Sequence, residues 1–564
     1  MNNFFTSFKA SLTLRFVYLI FVVFLVLILG NPIYGTTDDY ILSSFIDGNY
    51  SGQSEIRSIF IEPLISLIMY YFQILVPGVT IYSIFLLIIL ILSLSFLGSV
   101  INKRNSSKYL DLIWLLFSSG IVIWFTLSPT YTASSMASAA INLTSLMILI
   151  SNKIELKNQK IIIVAISILF SLSYLIRPES GNAVLAIFLI FIILKIIREI
   201  NMKTINYKNY LLSILTFCLI YALNFVLTQA QKNDEWSIYN SWNSMRHQIQ
   251  QRLPEEKLLD LRTEIGWTIP EYHLFMNLSF GDSKEFNSEW LEPAFVETKS
   301  DRGIAVIMYI DKNIIFQKTI ETFDKYQNYI ILNLIILIFM ITFFKFNKYN
   351  YLITILSVLL ITIIICYISI TLHTPERVIV PLLLFPLLLT IYTLSSENTT
   401  PRKGVSNIYF FSTAIALTIV LGIIFNLKNS ENLSKIVEAN LKNKWLREFE
   451  NTAIFIGPVG TETYHLNSPY LKQKINGLPT IFTTGNWETF SPNWFKRMNF
   501  LGFKSKSVYE NLFDDKVFWI SYPQPDSAYL VELYLKEKNY PSFTRENIKE
   551  HDSGLTIYKF NEAN

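Results

Sequence analysis

IEPLISLIMYYFQILVPG, residues 61–78, is an apolar run with a carboxylate and a proline near its head and a Pro-Gly turn at its foot. Whether it crosses a bilayer sets the side on which the rest of the chain lies. Lys103, Arg104 and Lys108 share one loop, and Lys153, Lys157 and Lys160 another. Lys195, Arg198, Lys203 and Lys208 share a third, Lys345 and Lys348 a fourth, Arg402 and Lys403 a fifth. If 59–76 crossed and the N-terminus were cytoplasmic, all of these loops would lie outside, against the rule that cytoplasmic loops carry the excess of Lys and Arg. The run therefore reads as a helix that dips into the outer leaflet and returns, which the Pro63 start and the Pro77-Gly78 turn suit. The rival solution has about twelve crossings and the N-terminus outside; it leaves Lys9 and Arg15 outside and puts Asp38 in the cytoplasm.

Outward from this segment the chain is mostly membrane. With 51% hydrophobic and 16% charged residues and a mean hydropathy of +0.37, it cannot be an ordinary soluble protein. Spans are expected near 14–30, 79–101, 109–128, 133–150, 161–176, 182–197, 210–228, 327–345, 351–372, 378–395 and 408–426, about eleven in all. The fold class is a polytopic α-helical membrane protein. The net charge of +4 gives no nucleic-acid signal, because the basic residues gather in short loops between apolar runs. Cys218 and Cys366 both fall in apolar runs, so no soluble part holds a disulfide and neither spacing marks a metal site. The N-terminal MNNFFTSFKASLTLRF leads into an apolar run with no small-residue cleavage site after it, and reads as a retained anchor. Richness in Ile, Lys and Asn points to an AT-rich bacterial genome, and the expected location is the bacterial cytoplasmic membrane.

This topology divides the chain into a transmembrane domain, 1–426, and an extracytoplasmic α/β domain, 427–564. Within the first, 31–78 is an outer loop with membrane-surface helices and 229–326 a large outer helical loop. In the latter, Trp236, Tyr239, Asn243, Arg246 and Gln250 recur every three or four residues and share one helical face. The C-terminal part alternates strand-like pieces such as TAIFIGP, KVFWISYP and GLTIYKF with helix-like ones, VYENLF and AYLVELYLKEK.

Chemistry concentrates at three outer boundaries. In GTTDDYILSSFIDG, residues 35–48, Asp38 and Asp39 follow two threonines and precede an apolar stripe ended by Gly48. That predicts an amphipathic helix on the membrane surface, with a threonine N-cap and acids in its first turn. Complementing the helix dipole, a contribution of about 0.3–1 kcal/mol, would account for such acids without any function. Neighbouring helix residues point about 100° apart, so one aspartate of the pair is expected to face a site. SYLIRPESG puts Arg177 and Glu179 at the outer end of a span, and HTPERVIVP puts His373, Glu376 and Arg377 in an outer turn. The bland reading of both is a polar turn whose charges snorkel or neutralise one another. Ionisable residues at a membrane edge are nonetheless functional candidates.

Together these segments resemble the GT-C glycosyltransferases, the superfamily of protein O-mannosyltransferases, lipid A aminoarabinose transferases and oligosaccharyltransferases. The resemblance lies in TTDDY in the first outer loop, in IEPL where several families start a dipping helix with PPL, in LIRPESG, and in ERVIVP, similar to an Arg-Tyr-Leu-X-Pro ending. It covers roughly the first 200 residues and 370–385. Glu62 replaces a His or Pro and Val378 an aromatic, so substrate identity does not transfer. The resemblance implies inverting transfer of a sugar from a polyprenyl-phosphate-linked donor to a glycan, lipid or protein acceptor of the cell envelope. Asp38 or Asp39 would be the general base. Arg377, then Arg177, would bind the lipid phosphate, with His373 donating to it and Glu179, Glu376 or Glu62 holding arginines or sugar hydroxyls. No cofactor is required by this reading; a divalent metal assisted by the glutamates is the alternative. Two rivals stand beside it. A polysaccharide polymerase or ligase would rest on Arg246, His247 and Arg252 of the large loop. A lipid-linked sugar flippase or transporter would need ionisable residues near mid-membrane, where the spans hold few.

Overall fold

The computed structural model describes residues 2–104, 108–150, 158–252, 258–260, 262–298, 312–371, 375–396, 407–449, 453–458, 464–472, 480–523 and 526–563. In chain order its first helices are α1 Asn2–Leu29, α2 Thr37–Asp47, α3 Pro63–Leu75, α4 Ile81–Arg104, α5 Lys108–Leu127, α6 Tyr131–Ile150, α7 Gln159–Ile176, α8 Pro178–Asn201 and α9 Tyr207–Ala230. The large loop supplies α10 Asp234–Arg252, α11 Ile269–Met276 and α12 Ser288–Thr298, and α13 Lys312–Phe343, α14 Lys348–Thr371, α15 Glu376–Ser396 and α16 Asn407–Leu446 follow. Among the described residues, nine helices are long and apolar enough to cross a membrane: α1, α4, α5, α6, α7, α9, α13, α14 and α15. The two remaining expected spans, 182–197 and 408–426, lie within α8 and α16.

At 13 residues, α3 is about 20 Å long, well short of a hydrocarbon core of about 30 Å. Both of its ends lie on one face of the helix bundle. At its start, the Glu62 amide donates to the Leu175 carbonyl at the end of α7 (3.2 Å), and the Leu64 amide to Asn224 Oδ1 near the end of α9 (3.1 Å). Past its end, the Thr80 amide donates to the Tyr470 carbonyl in the C-terminal part (3.2 Å). The helix buries Pro63, Leu64, Ile65 and Met69 against its neighbours and leaves Tyr71, Phe72, Ile74 and Leu75 exposed, an apolar face turned outward. The same face gathers the ends of α1 and α5, which meet the middle of α16, where Asn432 Nδ2 donates to the Asn31 and Leu127 carbonyls (2.9 and 2.8 Å). The cations at 103–108, 195–208 and 345–348 sit at the opposite helix ends; the cation groups at 153–157 and 402–403 lie outside the described residues.

Two local expectations differ from what is found. The helix carrying the aspartate pair was expected to lie on the membrane surface, yet α2 is enclosed, with Asp39 and every residue from Ile41 to Asp47 buried. Its small polar residues allow this: Ser43 pairs with the Tyr34 hydroxyl (2.9 Å) and Ser44 donates back to the Ile41 carbonyl (2.7 Å), so the polar face packs as closely as the apolar one. Helix α16, which holds the last expected span, also runs on to Leu446, so 427–446 extends that helix and the sheet begins only at Ile454.

Five strands, β1 Ile454–Pro458, β2 Thr480–Thr484, β3 Val517–Ser521, β4 Phe543–Glu550 and β5 Thr556–Glu562, form a mixed sheet of order β2-β1-β3-β5-β4. β1 pairs in parallel with β2 and β3, while β5 runs antiparallel to β3 and β4. Helices α17 Pro492–Phe500 and α18 Ser527–Glu537 complete this α/β domain, and VYENLF becomes a short 3-10 turn, Tyr509–Phe513. The domain docks on the large loop. Gly485 adopts φ +75°, and a Cβ there would come within 2.1 Å of the Leu278 carbonyl carbon and oxygen; only glycine permits both. The Tyr509 hydroxyl donates to the Ser279 carbonyl beside it (2.7 Å).

Candidate active site

Thr36 caps α2, its hydroxyl accepting from the Asp39 amide (3.3 Å), which fixes the first turn and sends the two carboxylates in different directions. Asp39 points inward and is fully buried. Its Oδ1 accepts from the Tyr82 hydroxyl (2.7 Å) and the Tyr131 amide (2.8 Å), and its Oδ2 from the Thr36 hydroxyl (2.5 Å). It thereby ties α2 to the starts of α4 and α6. Burial pushes its pKa up to about 6, against the hydrogen bonds from Thr36 and Tyr82, the Arg377 charge and the Tyr131 amide. A carboxyl raised on folding holds its proton longer in the folded state, so its share of stability falls as pH rises from about 4 to about 6. Asp39→Asn removes that titration. Thermal midpoints measured at pH 4.5 and 7 should therefore drop less for the variant than for the parent over this interval; parallel drops would mean that Asp39 does not titrate there.

Asp38 points the other way. Its Oδ2 pairs with Arg377 Nη1 (3.0 Å), both side chains about one-quarter exposed, and its Oδ1 accepts from Trp487 Nε1 (2.8 Å). Arg377 Nη1 also reaches the Thr36 hydroxyl (3.2 Å). Three distant parts of the chain thus meet at one carboxylate: the first loop, the start of α15 and the C-terminal domain. Phe60 packs against the Trp487 ring at 4.8 Å between centroids and holds φ +67°, a left-handed conformation that a bulky residue adopts only when its surroundings impose it.

Next to Arg377, Glu376 accepts from Trp124 Nε1 (2.6 Å), the Tyr329 hydroxyl (2.9 Å) and Lys428 Nζ (2.9 Å), and Lys428 also reaches Glu431 (3.1 Å). Burial alone would pull the Lys428 ammonium down; Glu376 and Glu431 more than offset this and keep it charged. A cleft of about 250 Å³ opens here, with Thr36, Trp124, Ser128, Glu376, Arg377 and Lys428 in its wall. Trp124 also lines an apolar crevice between the long helices, with Leu90, Phe117, Ile121, Ala137 and Leu387 around it, and Tyr329, which bonds Glu376 in the cleft, lines the crevice too.

The other anticipated residues make different contacts. Arg177 lies over the Tyr131 ring (4.8 Å), bonds the Thr132 hydroxyl and stands 3.9 Å from Glu179, which is 75% exposed. It thus meets Tyr131, whose hydroxyl also lies within electrostatic reach of Asp38 and Arg377. Glu62 accepts from Asn224 Nδ2 (2.7 Å) and pins α3 to α9. His373 lies outside the described residues. In the large loop, buried Arg246 hydrogen-bonds Asn243 Oδ1 and Gln250 Oε1 (2.7–3.1 Å). Among the described residues, no three His, Cys, Asp or Glu side chains are placed to hold a metal ion. The sequence reading missed Trp487, Trp124, Tyr329 and Lys428. Only Lys428 carried a signal, as the first cation after the last apolar run in LGIIFNLKNSE.

No family model matches the chain, and no curated protein does. Among solved structures, the chain is similar to ArnT from Cupriavidus metallidurans in the apo state, over 98% of each chain at 10% identity and a TM-score of 0.41. It is also similar to ArnT from the same organism bound to undecaprenyl phosphate, over 97% of each chain at 10% identity and a TM-score of 0.39. This likeness is one of outline at low identity, and no residue role is carried over from it.

Proposed function

We propose that the chain is a membrane glycosyltransferase of the GT-C type, moving a sugar from a polyprenyl-phosphate-linked donor to a cell-envelope acceptor. The observation that carries this reading is the pairing of Asp38 with Arg377, which lines a polar cleft that shares Trp124 with an apolar crevice among the long apolar helices. The crevice suits an isoprenoid tail and the cleft its phosphate. In the transfer, an acceptor hydroxyl attacks the anomeric carbon, its proton passes to Asp38, and the bond from that carbon to the phosphate oxygen breaks. The electron pair leaves on the polyprenyl phosphate, where Arg377 and Lys428 oppose the new charge. Asp39 is the positioning residue that holds α2, and Trp487 orients the Asp38 carboxylate.

The pairing also supports an order of events. The Arg377 guanidinium pairs with Asp38; a phosphate that claims the guanidinium releases the carboxylate to act as a base while Trp487 still holds it. Titration of the protein in nanodiscs with undecaprenyl phosphate and with undecaprenol tests the donor assignment. The phosphate should bind and the alcohol should bind at least tenfold more weakly; equal affinity would remove phosphate recognition.

The charge of the loops supports an extracytoplasmic cleft and C-terminal domain in a bacterial cytoplasmic membrane. Cys218 and Cys366, both in helices of the membrane domain, leave the soluble parts free of native thiols. Ser553→Cys, in the turn between β4 and β5, should react with an impermeant maleimide on intact cells. Labelling only after permeabilisation would invert the orientation.

A further inference from the structure

A second and larger cleft, of about 410 Å³, lies between the first turns of α10 and helix α17, within the roughly 300–1,000 Å³ of small-ligand sites. Its wall holds Glu235, Tyr239, Phe490, Phe495, Asn499 and Lys506. The Phe490 and Phe495 rings are nearly parallel (15°) with centroids 6.5 Å apart, and the Lys506 ammonium stands 5.4 Å from the centre of the Phe495 ring. Rings beside an amide, a carboxylate and an ammonium match a sugar residue, which offers a C–H face to a ring and hydroxyls to donors and acceptors at its rim. The charges set the class further. Lys496, also in the wall, is paired with Glu55 (2.5 Å), which leaves one ammonium, Lys506, and one carboxylate, Glu235, in the wall and no net charge to select an anion.

The cleft touches the candidate active site through one residue. The Tyr239 hydroxyl donates to the Trp487 carbonyl (2.5 Å), and the Trp487 indole donates to Asp38 (2.8 Å). The segment Gly485–Phe490 therefore presents Trp487 to Asp38 and Phe490 to the second cleft. Phe490 keeps φ +65°, held by edge contacts to Trp242 and Trp494 at 5.0 and 5.3 Å. Backbone strain of this kind persists where the surroundings over-determine it, and it clusters at functional sites.

We propose that the cleft between α10 and α17 binds an oligosaccharide without net charge. That this saccharide is the acceptor rests on the transferase reading above; the binding itself rests on the cleft. The test uses the full chain in phosphatidylcholine nanodiscs, with maltohexaose and chitohexaose as probes followed by saturation-transfer NMR. At least one probe should bind saturably, and an Asn499→Ala, Lys506→Ala double variant should weaken it at least fivefold. Both side chains are exposed, so the fold tolerates the change. Undecaprenyl phosphate affinity should stay within twofold in the same variant, which keeps this result separate from the donor assignment. Binding of neither probe, or equal binding by parent and variant, overturns the proposal. So does loss of the signal in phosphatidylglycerol nanodiscs, which would make the cleft a lipid-headgroup site.

Discussion

Asp38→Asn is expected to lower sugar transfer by about 10²–10⁴-fold, the usual contribution of a positioned general base, without unfolding the protein. The amide keeps an oxygen for the Trp487 indole (2.8 Å in the parent), and Asp39 still anchors α2 through Tyr82, Tyr131 and Thr36. What is lost is the capacity to take a proton and the negative charge opposite Arg377. The second loss has its own signature. With Arg377 no longer engaged by a carboxylate, undecaprenyl phosphate should bind the variant at least as tightly as the parent. Turnover and donor affinity thus move in opposite directions. Radiolabel transfer and nanodisc titration measure the two separately; full turnover in the variant would remove Asp38 from the chemistry.

Arg377→Ala is the complementary experiment. A hydrogen bond to a charged group contributes about 1.5–3 kcal/mol, so donor binding should weaken by roughly 10–150-fold. Arg377→Lys should recover part of that, because a lysine restores the charge but not the planar fork. Lys428 is already held by Glu376 and Glu431 (2.9 and 3.1 Å), so Lys428→Ala should cost less donor affinity than Arg377→Ala. If Arg377→Ala binds undecaprenyl phosphate as the parent does, the phosphate lies nearer Lys428 and the proposed release of Asp38 does not occur.

Much of this site was legible along the chain because membrane edges are read from local composition. TTDDY and ERVIVP each announced charged residues at a helix end, and helix periodicity alone required Asp38 and Asp39 to diverge. Which of the two meets Arg377 was not legible. That depended on Tyr82 and the Tyr131 amide, two groups from other helices that meet Asp39 and seal it. Trp487 was hidden for a different reason. It lies some 450 positions along the chain from Asp38, in a loop whose composition is that of any surface turn, and no local pattern reports a contact made by domain docking.

By itself, the sequence determined the membrane class, the apolar helices, the side-to-side bias of the cations and the presence of a C-terminal α/β unit. These follow from burial in lipid and from loop charge, which act on each segment independently. Tertiary structure alone decided that α2 is enclosed, that Asp39 anchors it while Asp38 meets Arg377 and Trp487, and that Glu62 pins α3 to α9. Those outcomes depend on which buried donors the packing brings within about 3 Å of a carboxylate. A short-range interaction between residues hundreds of positions apart exists only once the helices and the domain have docked.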